Sequence, residues 1–239
     1  MNMRNILWVI LGIIAIGSCG NKKQSDDFGI VEYHENVPGD STLYGLACDG
    51  CTDSVIVILP YSGGDPDTFN IIRCERKGKV YGHPHIGHRL AVTINPDNRN
   101  EAEQVIVLDD LEQQWRFAVN PVITEELPDS VVKSLMIPHE YSYLLKRDNQ
   151  VRTVGTIYKT GTSDEQSPAV YPDVKQYNKW GLYNGRIILA FDIQNAISVN
   201  NDSLRHIDKV RADTADIVRL DTDTLVLRMK DGLHSFYKK

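Results

Sequence analysis

The chain has 239 residues, 41% of them apolar and 24% charged, with 26 basic against 32 acidic side chains. A formal charge of −6 excludes the basic footprint that nucleic acid or an anionic lipid surface requires. The apolar share is enough for sizeable cores, and the length favours one large domain or two modest ones.

The first element is a leader. Arg4 precedes an apolar run over residues 6–16, and Gly17-Ser18-Cys19 follows. A spanning helix needs roughly 20 apolar residues, so the run has the length and flanks of a secretory signal instead. Cys19 stands where bacterial lipoproteins are cut and acylated. Residues 1–18 are therefore expected to be a lipoprotein signal peptide and Cys19 the lipid attachment site. Removing residues 1–18 takes away Arg4 and leaves a formal charge of about −7. Residues 19–40 open on a polar tract, Gly20-Asn21-Lys22-Lys23-Gln24-Ser25-Asp26-Asp27, and read as a tether. The expected location is the cell envelope, at the outer membrane, with the membrane as a partner through the lipid.

Helical periodicity is nearly absent after the tether. Short runs rich in Val, Ile, Thr and Tyr recur between Gly, Asn, Asp and Pro breakers, which is an all-β pattern. In residues 41–108, strands are expected at 42–47, 54–59, 69–74, 90–94 and 104–108. Breakers at Asp49-Gly50, Ser62-Gly63-Gly64-Asp65-Pro66, Lys77-Gly78 and Asn95-Pro96-Asp97 separate them. Five short strands in this span suit a small barrel of the oligonucleotide/oligosaccharide-binding (OB) type.

Residues 109–239 open with a strand around Trp115. A helix is expected over 129–135, capped by Asp129 and ended by Pro138. Strands then follow at 141–146, 151–157, 174–183, 186–191, 204–210, 216–220, 225–229 and 233–237. Asn184-Gly185 is a strong hairpin signal, and Lys230-Asp231-Gly232 marks a second hairpin. A meander of about eight strands closes into a barrel wide enough for side chains or one small ligand. The expected fold is thus all-β: an OB-like barrel followed by an eight-stranded up-and-down barrel.

Three stretches resemble the lipocalin-like domains of bacterial envelope lipoproteins. They are Leu111-Glu112-Gln113-Gln114-Trp115-Arg116-Phe117, Tyr177-Asn178-Lys179-Trp180-Gly181-Leu182 with Arg186-Ile187-Ile188-Leu189, and the closing run from Asp216 to Arg228 with Phe236-Tyr237-Lys238-Lys239. The resemblance covers residues 109–239. It implies a calycin-type barrel with a cavity, Trp115 on the first strand and Arg228 stacked over its indole. The family has a glycine two residues before that tryptophan, where this chain has Gln113. Tyr44-Gly45-Leu46-Ala47-Cys48-Asp49-Gly50-Cys51-Thr52-Asp53 is similar to the N-terminal domains of such lipoproteins, a likeness that carries no biochemical role.

The chemistry-bearing residues point in several directions. With Cys19 assigned to lipid, Cys48, Cys51 and Cys74 remain, so at most one intramolecular disulfide can form among them. Cys48 and Cys51 form a CxxC in an expected β-turn, whereas redox pairs of that spacing sit at helix N-termini. Cys48, Cys51, His83 and His85 are the candidate metal ligands, and His88 joins them only if Ile86-Gly87 turns back. Exposed loop histidines and structural thiols are the simpler account of the same residues. No nucleophile elbow, phosphate loop or facing carboxylate pair is present, and neither enzymatic activity nor a cofactor is expected. Trp115, Tyr141, Tyr143 and Trp180 are the candidate ligand-binding residues, placed to line or to fill the second barrel. The expected function is non-enzymatic binding of a small apolar or amphipathic ligand. A scaffold for envelope protein partners is the alternative, and metal or redox chemistry at the CxxC is a third.

Overall fold

The computed structural model describes residues 39–155, 168–193 and 209–238. The leader, Cys19, nearly all of the expected tether and most of the expected strand over 204–210 lie outside these residues.

The first barrel is built on strand β1 (Thr42–Ala47), which pairs antiparallel with β2 (Val55–Pro60), and β2 with β3 (Asp67–Asn70). Helix α1 (Ile72–Arg76) and the short β4 (Val80–Tyr81) precede β5 (Arg89–Asn95) and β6 (Asn98–Val107). β5 lies against the other side of β1, β6 pairs with β5, and a parallel contact of Asn70 with Glu101 closes β3 onto β6. The result is the expected OB-like closed barrel of five strands, with β4 added alongside β6. Ile56, Ile58, Leu90, Val92, Val105 and Val107 fill its interior. Burying each such side chain contributes roughly 1.5–3 kcal/mol.

The expected strand over 69–74 is divided here. Asn70 Oδ1 accepts from the Ile72 amide at 3.0 Å, which turns the chain out of β3. Ile71 and Cys74, three apart, then place one face of the short α1 on the core. Apolar content alone could not distinguish this turn of helix from two more residues of strand.

A second helical turn, α2 (Leu108–Leu111), joins the barrels and had no sequence signal of its own. The second barrel follows. Its strands are β7 (Gln114–Val119), β9 (His139–Leu145), β10 (Val151–Val154), β12 (Lys179–Tyr183), β13 (Arg186–Ile193), β14 (Lys209–Leu220), β15 (Thr224–Met229) and β16 (Gly232–Lys238). Consecutive strands pair antiparallel from β12 to β16, β16 closes onto β7, and β7 continues through β9 to β10. This is the expected eight-stranded up-and-down barrel. Its remaining seam, between β10 and β12, is crossed by the Gln150–Lys179 bridge. There the Val151 amide donates to Asn178 O at 2.9 Å, the Trp180 amide to Asn149 O at 2.8 Å and the Trp180 indole N–H to Lys146 O at 2.8 Å.

Between β7 and β9, β8 (Val122–Ile123) pairs with β11 (Ala169–Val170), beside helix α3 (Asp129–Leu135). The helix has the expected span, but Pro128 occupies the cap position and Asp129 is its first helical residue. The expected strand over 174–183 is regular only from Lys179. Of the two strands expected at 204–210 and 216–220, the described part is one continuous β14, with a bulge between Ile217 and Arg219.

The barrels share a core. On β5 and β6, Leu90, Val92, Val105 and Val107 face the first interior, while Ala91 and Ile106 face outward and join the cluster containing Trp115, Leu182, Ile187 and Leu220. Both faces of these strands are therefore buried, and they read as unbroken apolar runs. The Asn184-Gly185 turn, with φ of 47° and 74°, docks on the same wall. Gln104 Nε2 donates to Gly185 O at 2.6 Å, and Asn184 Oδ1 accepts from the Ser41 amide and hydroxyl, both at 2.8 Å. A charged lock closes the junction. The Arg89 guanidinium forks between Asp109 Oδ1, at 2.9 Å from Nη2, and the Glu112 carboxylate, with Arg147 behind at 3.2 Å from Asp109 Oδ1.

Candidate functional site

One end of the second barrel is filled and the other is open. Trp115, Leu145, Val151, Trp180, Leu182, Ile187, Leu225 and Leu227 are buried in the filled end. The Trp115 indole N–H donates to Leu111 O at 2.8 Å, so α2 is stapled across that end. Beyond this layer lies a cavity of about 570 Å³ at the opposite mouth.

Alternation along the strands supplies its walls. Phe117 lies two residues after Trp115, Tyr143 two before Leu145, and Phe236 opposite Leu225, so all three share the inward face. Phe117 is 4.8 Å from Tyr143 and 5.5 Å from Phe236 between ring centroids, and Tyr177 meets Tyr143 edge-on at 5.3 Å. Leu189 and Met229 complete the apolar floor, and Asp173, Lys175, Asp231 and His234 lie at the rim.

An acidic residue stands on this inward face. Asp213 is paired opposite Leu189 on β14, and its Oδ2 accepts from the Tyr177 hydroxyl and from Lys175 Nζ, both at 2.7 Å. Burial works against the Asp213 carboxylate, but the hydrogen bonds from Lys175 and Tyr177 outweigh it and hold the carboxyl below its usual value. Burial, then the bond to Asp213, pushes the Tyr177 hydroxyl well above its ordinary value, so it remains a donor. Burial does the same to Tyr143, whose hydroxyl donates to Lys175 O at 2.9 Å. These bonds tie the irregular chain around Lys175–Tyr177 across the mouth.

Of the four aromatic residues expected to contact ligand, Tyr143 lines the cavity. Trp115, 1% exposed, and Trp180, 3% exposed, belong to the filled layer, each with its indole N–H on a backbone carbonyl. Tyr141 is buried beside Gly155, where an added Cβ would lie 2.4 Å from its ring. Arg228 does not take the stacking place over Trp115. It is exposed on the outer face of β15, between the inward Leu227 and Met229, with Asp216 and Leu233 as its strand neighbours.

The wall residues Phe117, Tyr177 and Phe236, and Asp213 behind Tyr177, were not singled out from the sequence. Phe117 could have been found by stepping two residues from Trp115, and Phe236 by counting across the hairpin at Lys230-Asp231. Tyr177 lies in irregular chain and carries no periodic signal.

The expected metal candidates lie on two neighbouring segments, joined where the Ala47 amide donates to His88 O and the Gly87 amide to Ala47 O, both at 2.8 Å. Cys48 and Cys51 are free, partly buried thiols in the β1–β2 turn. Cys51 Sγ accepts from the Val57 amide at 3.3 Å. His83 and His85 lie on the loop between β4 and β5. That loop does turn back at Gly87, where φ is 83°, and brings the His85 and His88 rings edge-on at 5.1 Å. Among the described residues, no three His, Cys, Asp or Glu side chains converge as a metal-holding group. Cys74 is buried against the first core, and burial pushes its thiol up to about 11. A separate depression of about 550 Å³ beside α1 is lined by Arg73, Arg76, Lys77 and Glu101 and has no aromatic wall.

Comparison with protein-family models, with curated proteins and with solved structures found no match to this chain.

Proposed function

We propose that this is a lipid-anchored envelope protein, non-enzymatic, that binds a small apolar or amphipathic ligand in the open mouth of its eight-stranded barrel. The observation that carries the reading is the half-filled interior, packed solid around Trp115 and hollow above Phe117, Tyr143 and Phe236. A cavity of about 570 Å³ is in the range of small-molecule sites, with apolar walls and a few polar groups to fix orientation. Kinship with the lipocalin-like lipoproteins is part of the proposal, supported by the closed meander and by Trp115 on its first strand. Anchoring at Cys19 rests on the leader pattern.

The test uses N-phenyl-1-naphthylamine, a neutral probe that brightens in apolar surroundings. Saturable binding, lost when Met229→Trp fills the floor while the far-ultraviolet spectrum is kept, supports the reading. Absence of saturable binding, or equal binding by the filled variant, overturns it. Labelling of the expressed protein with radioactive palmitate, lost in Cys19→Ser, tests the anchor.

A second reading, as an interaction module in an envelope assembly, draws on one observation. Val122, Met136, Ile137 and Val170, around α3 and the β8–β11 pair, are all exposed. Co-purification of a stoichiometric partner, lost on Ile137→Asp, supports it.

A further inference from the structure

We infer that the ligand of the barrel mouth is cationic: an amine or quaternary ammonium head on an apolar body. The inference rests on the reading of the mouth as a binding site and narrows its ligand class.

Two features of the cavity favour positive charge. The first is the aromatic wall. Phe117, Tyr143, Tyr177 and Phe236 stand with neighbouring ring centroids 4.8–6.1 Å apart. Aromatic faces are the negative pole of the ring quadrupole, and a cation within about 6 Å of a centroid is attracted to them. Such walls give no comparable attraction to an anion.

The second feature is the balance of charge around the opening. Asp173 and Asp231 line it, and Asp213 lies behind the lining residues Tyr177 and Lys175, which both bond its Oδ2. Against these two lining carboxylates, Lys175 is the one lysine or arginine among the described residues that line the cavity, and its ammonium already sits on Asp213 Oδ2 at 2.7 Å. His234 is hydrogen-bonded to Asp231 at 2.9 Å. Both donors to Asp213 share Oδ2, and among the described residues no hydrogen bond is made to Oδ1. The Lys175 side chain is 53% exposed, so its head can swing into water and clear the opening for an incoming ammonium. An anionic head would meet two carboxylates at the opening. A fatty-acid-like ligand is thereby disfavoured, although the apolar floor would accept its tail.

The experiment uses the full chain carrying Cys19→Ser, so that no attached lipid competes. Three amphiphiles with the same dodecyl tail displace N-phenyl-1-naphthylamine, each below its micelle concentration: dodecyltrimethylammonium, dodecyl sulfate and a neutral dodecyl glycol ether. The expected result is that the ammonium competes roughly tenfold better than the other two, with the advantage shrinking as salt is raised. Asp231→Asn and Asp173→Asn, both at the opening, should each reduce that preference. Saturable probe binding with all three heads competing alike, or with the sulfate best, overturns the cationic ligand and leaves the binding site standing. No saturable probe binding removes the site itself, and with it this inference.

Discussion

The Tyr177 hydroxyl donates to Asp213 Oδ2 at 2.7 Å, and this bond lets a carboxylate occupy an inward position of an otherwise apolar barrel wall. Lys175 Nζ shares the same oxygen. A charge half-sheltered in this way stays ionised because both donors stabilise the charged form. The pair also joins the irregular chain at the mouth to the longest strand of the barrel.

Acid should weaken this arrangement and the Asp109 arm of the charged lock alike. The carboxyls of Asp213 and Asp109 are both held below their usual value: burial opposes the shift in each case, and hydrogen bonds from Tyr177 and Lys175, or from Arg89, outweigh it. A carboxyl depressed in the folded state contributes stability above its unfolded value of about 3.9, and that contribution fades as pH falls through the folded value. The melting temperature should therefore drop below about pH 4. Asp213→Asn should flatten part of that acid limb and leave the neutral plateau nearly level. An unchanged limb in Asp213→Asn would count against the bonds to its carboxylate.

Arg89 holds the two barrels together electrostatically. Its side chain is 13% exposed and that of Glu112 is 2% exposed, so Arg89→Met takes the nearer guanidinium from a carboxyl that burial pushes up to about 8, with Arg147 Nε left at 3.7 Å. Breaking one partner from a buried pair costs about 3–5 kcal/mol. Urea unfolding should show a loss of that size. Combining it with Glu112→Gln should recover part of the loss, since a neutral amide then replaces the buried carboxyl.

Gly155 is required by its neighbour. A Cβ there would stand 2.4 Å from the Tyr141 ring, so Gly155→Ala forces the ring or the strand to move. Overpacking of this kind costs about 1–3 kcal/mol. Tyr141→Leu should relieve the clash, and the double variant should be more stable than the sum of the two single losses. Strict additivity in chemical denaturation would show that the contact is not close in solution.

Thiol reactivity should divide the cysteines. Cys74 is 1% exposed with its thiol pushed up to about 11, whereas Cys48 and Cys51 are partly exposed in a turn. Iodoacetamide followed by peptide mass analysis should mark Cys48 and Cys51 in the folded protein. Cys74 should be marked only after denaturation.

Much of the architecture was legible because it follows from alternation and turn chemistry. Asn184-Gly185 announced its hairpin because both residues tolerate positive φ, and the strand count of each barrel followed from the breakers. What escaped was decided by contacts distant in sequence. Asp213 and Thr214 interrupt an apolar pattern, so a break in β14 was expected. The strand runs through them because Tyr177 and Lys175, from another segment, satisfy the carboxylate. The same cause hid the site, since the residue that marks the mouth resembles a loop residue. Trp115 and Trp180 were candidates either to line or to fill the barrel. Their indole N–H groups found carbonyls at 2.8 Å in the closed end, where such bulk fills space best.

The double-faced wall formed by β5 and β6 has a further consequence. Ile106 and Val107 are neighbours in the chain, yet each is wholly buried and they belong to different interiors. One peptide bond thus stitches two hydrophobic cores, and neither half can loosen without exposing apolar surface that belongs to the other. The protein should melt in one calorimetric transition, and cutting the chain between its barrels should yield two insoluble fragments instead of two independent modules.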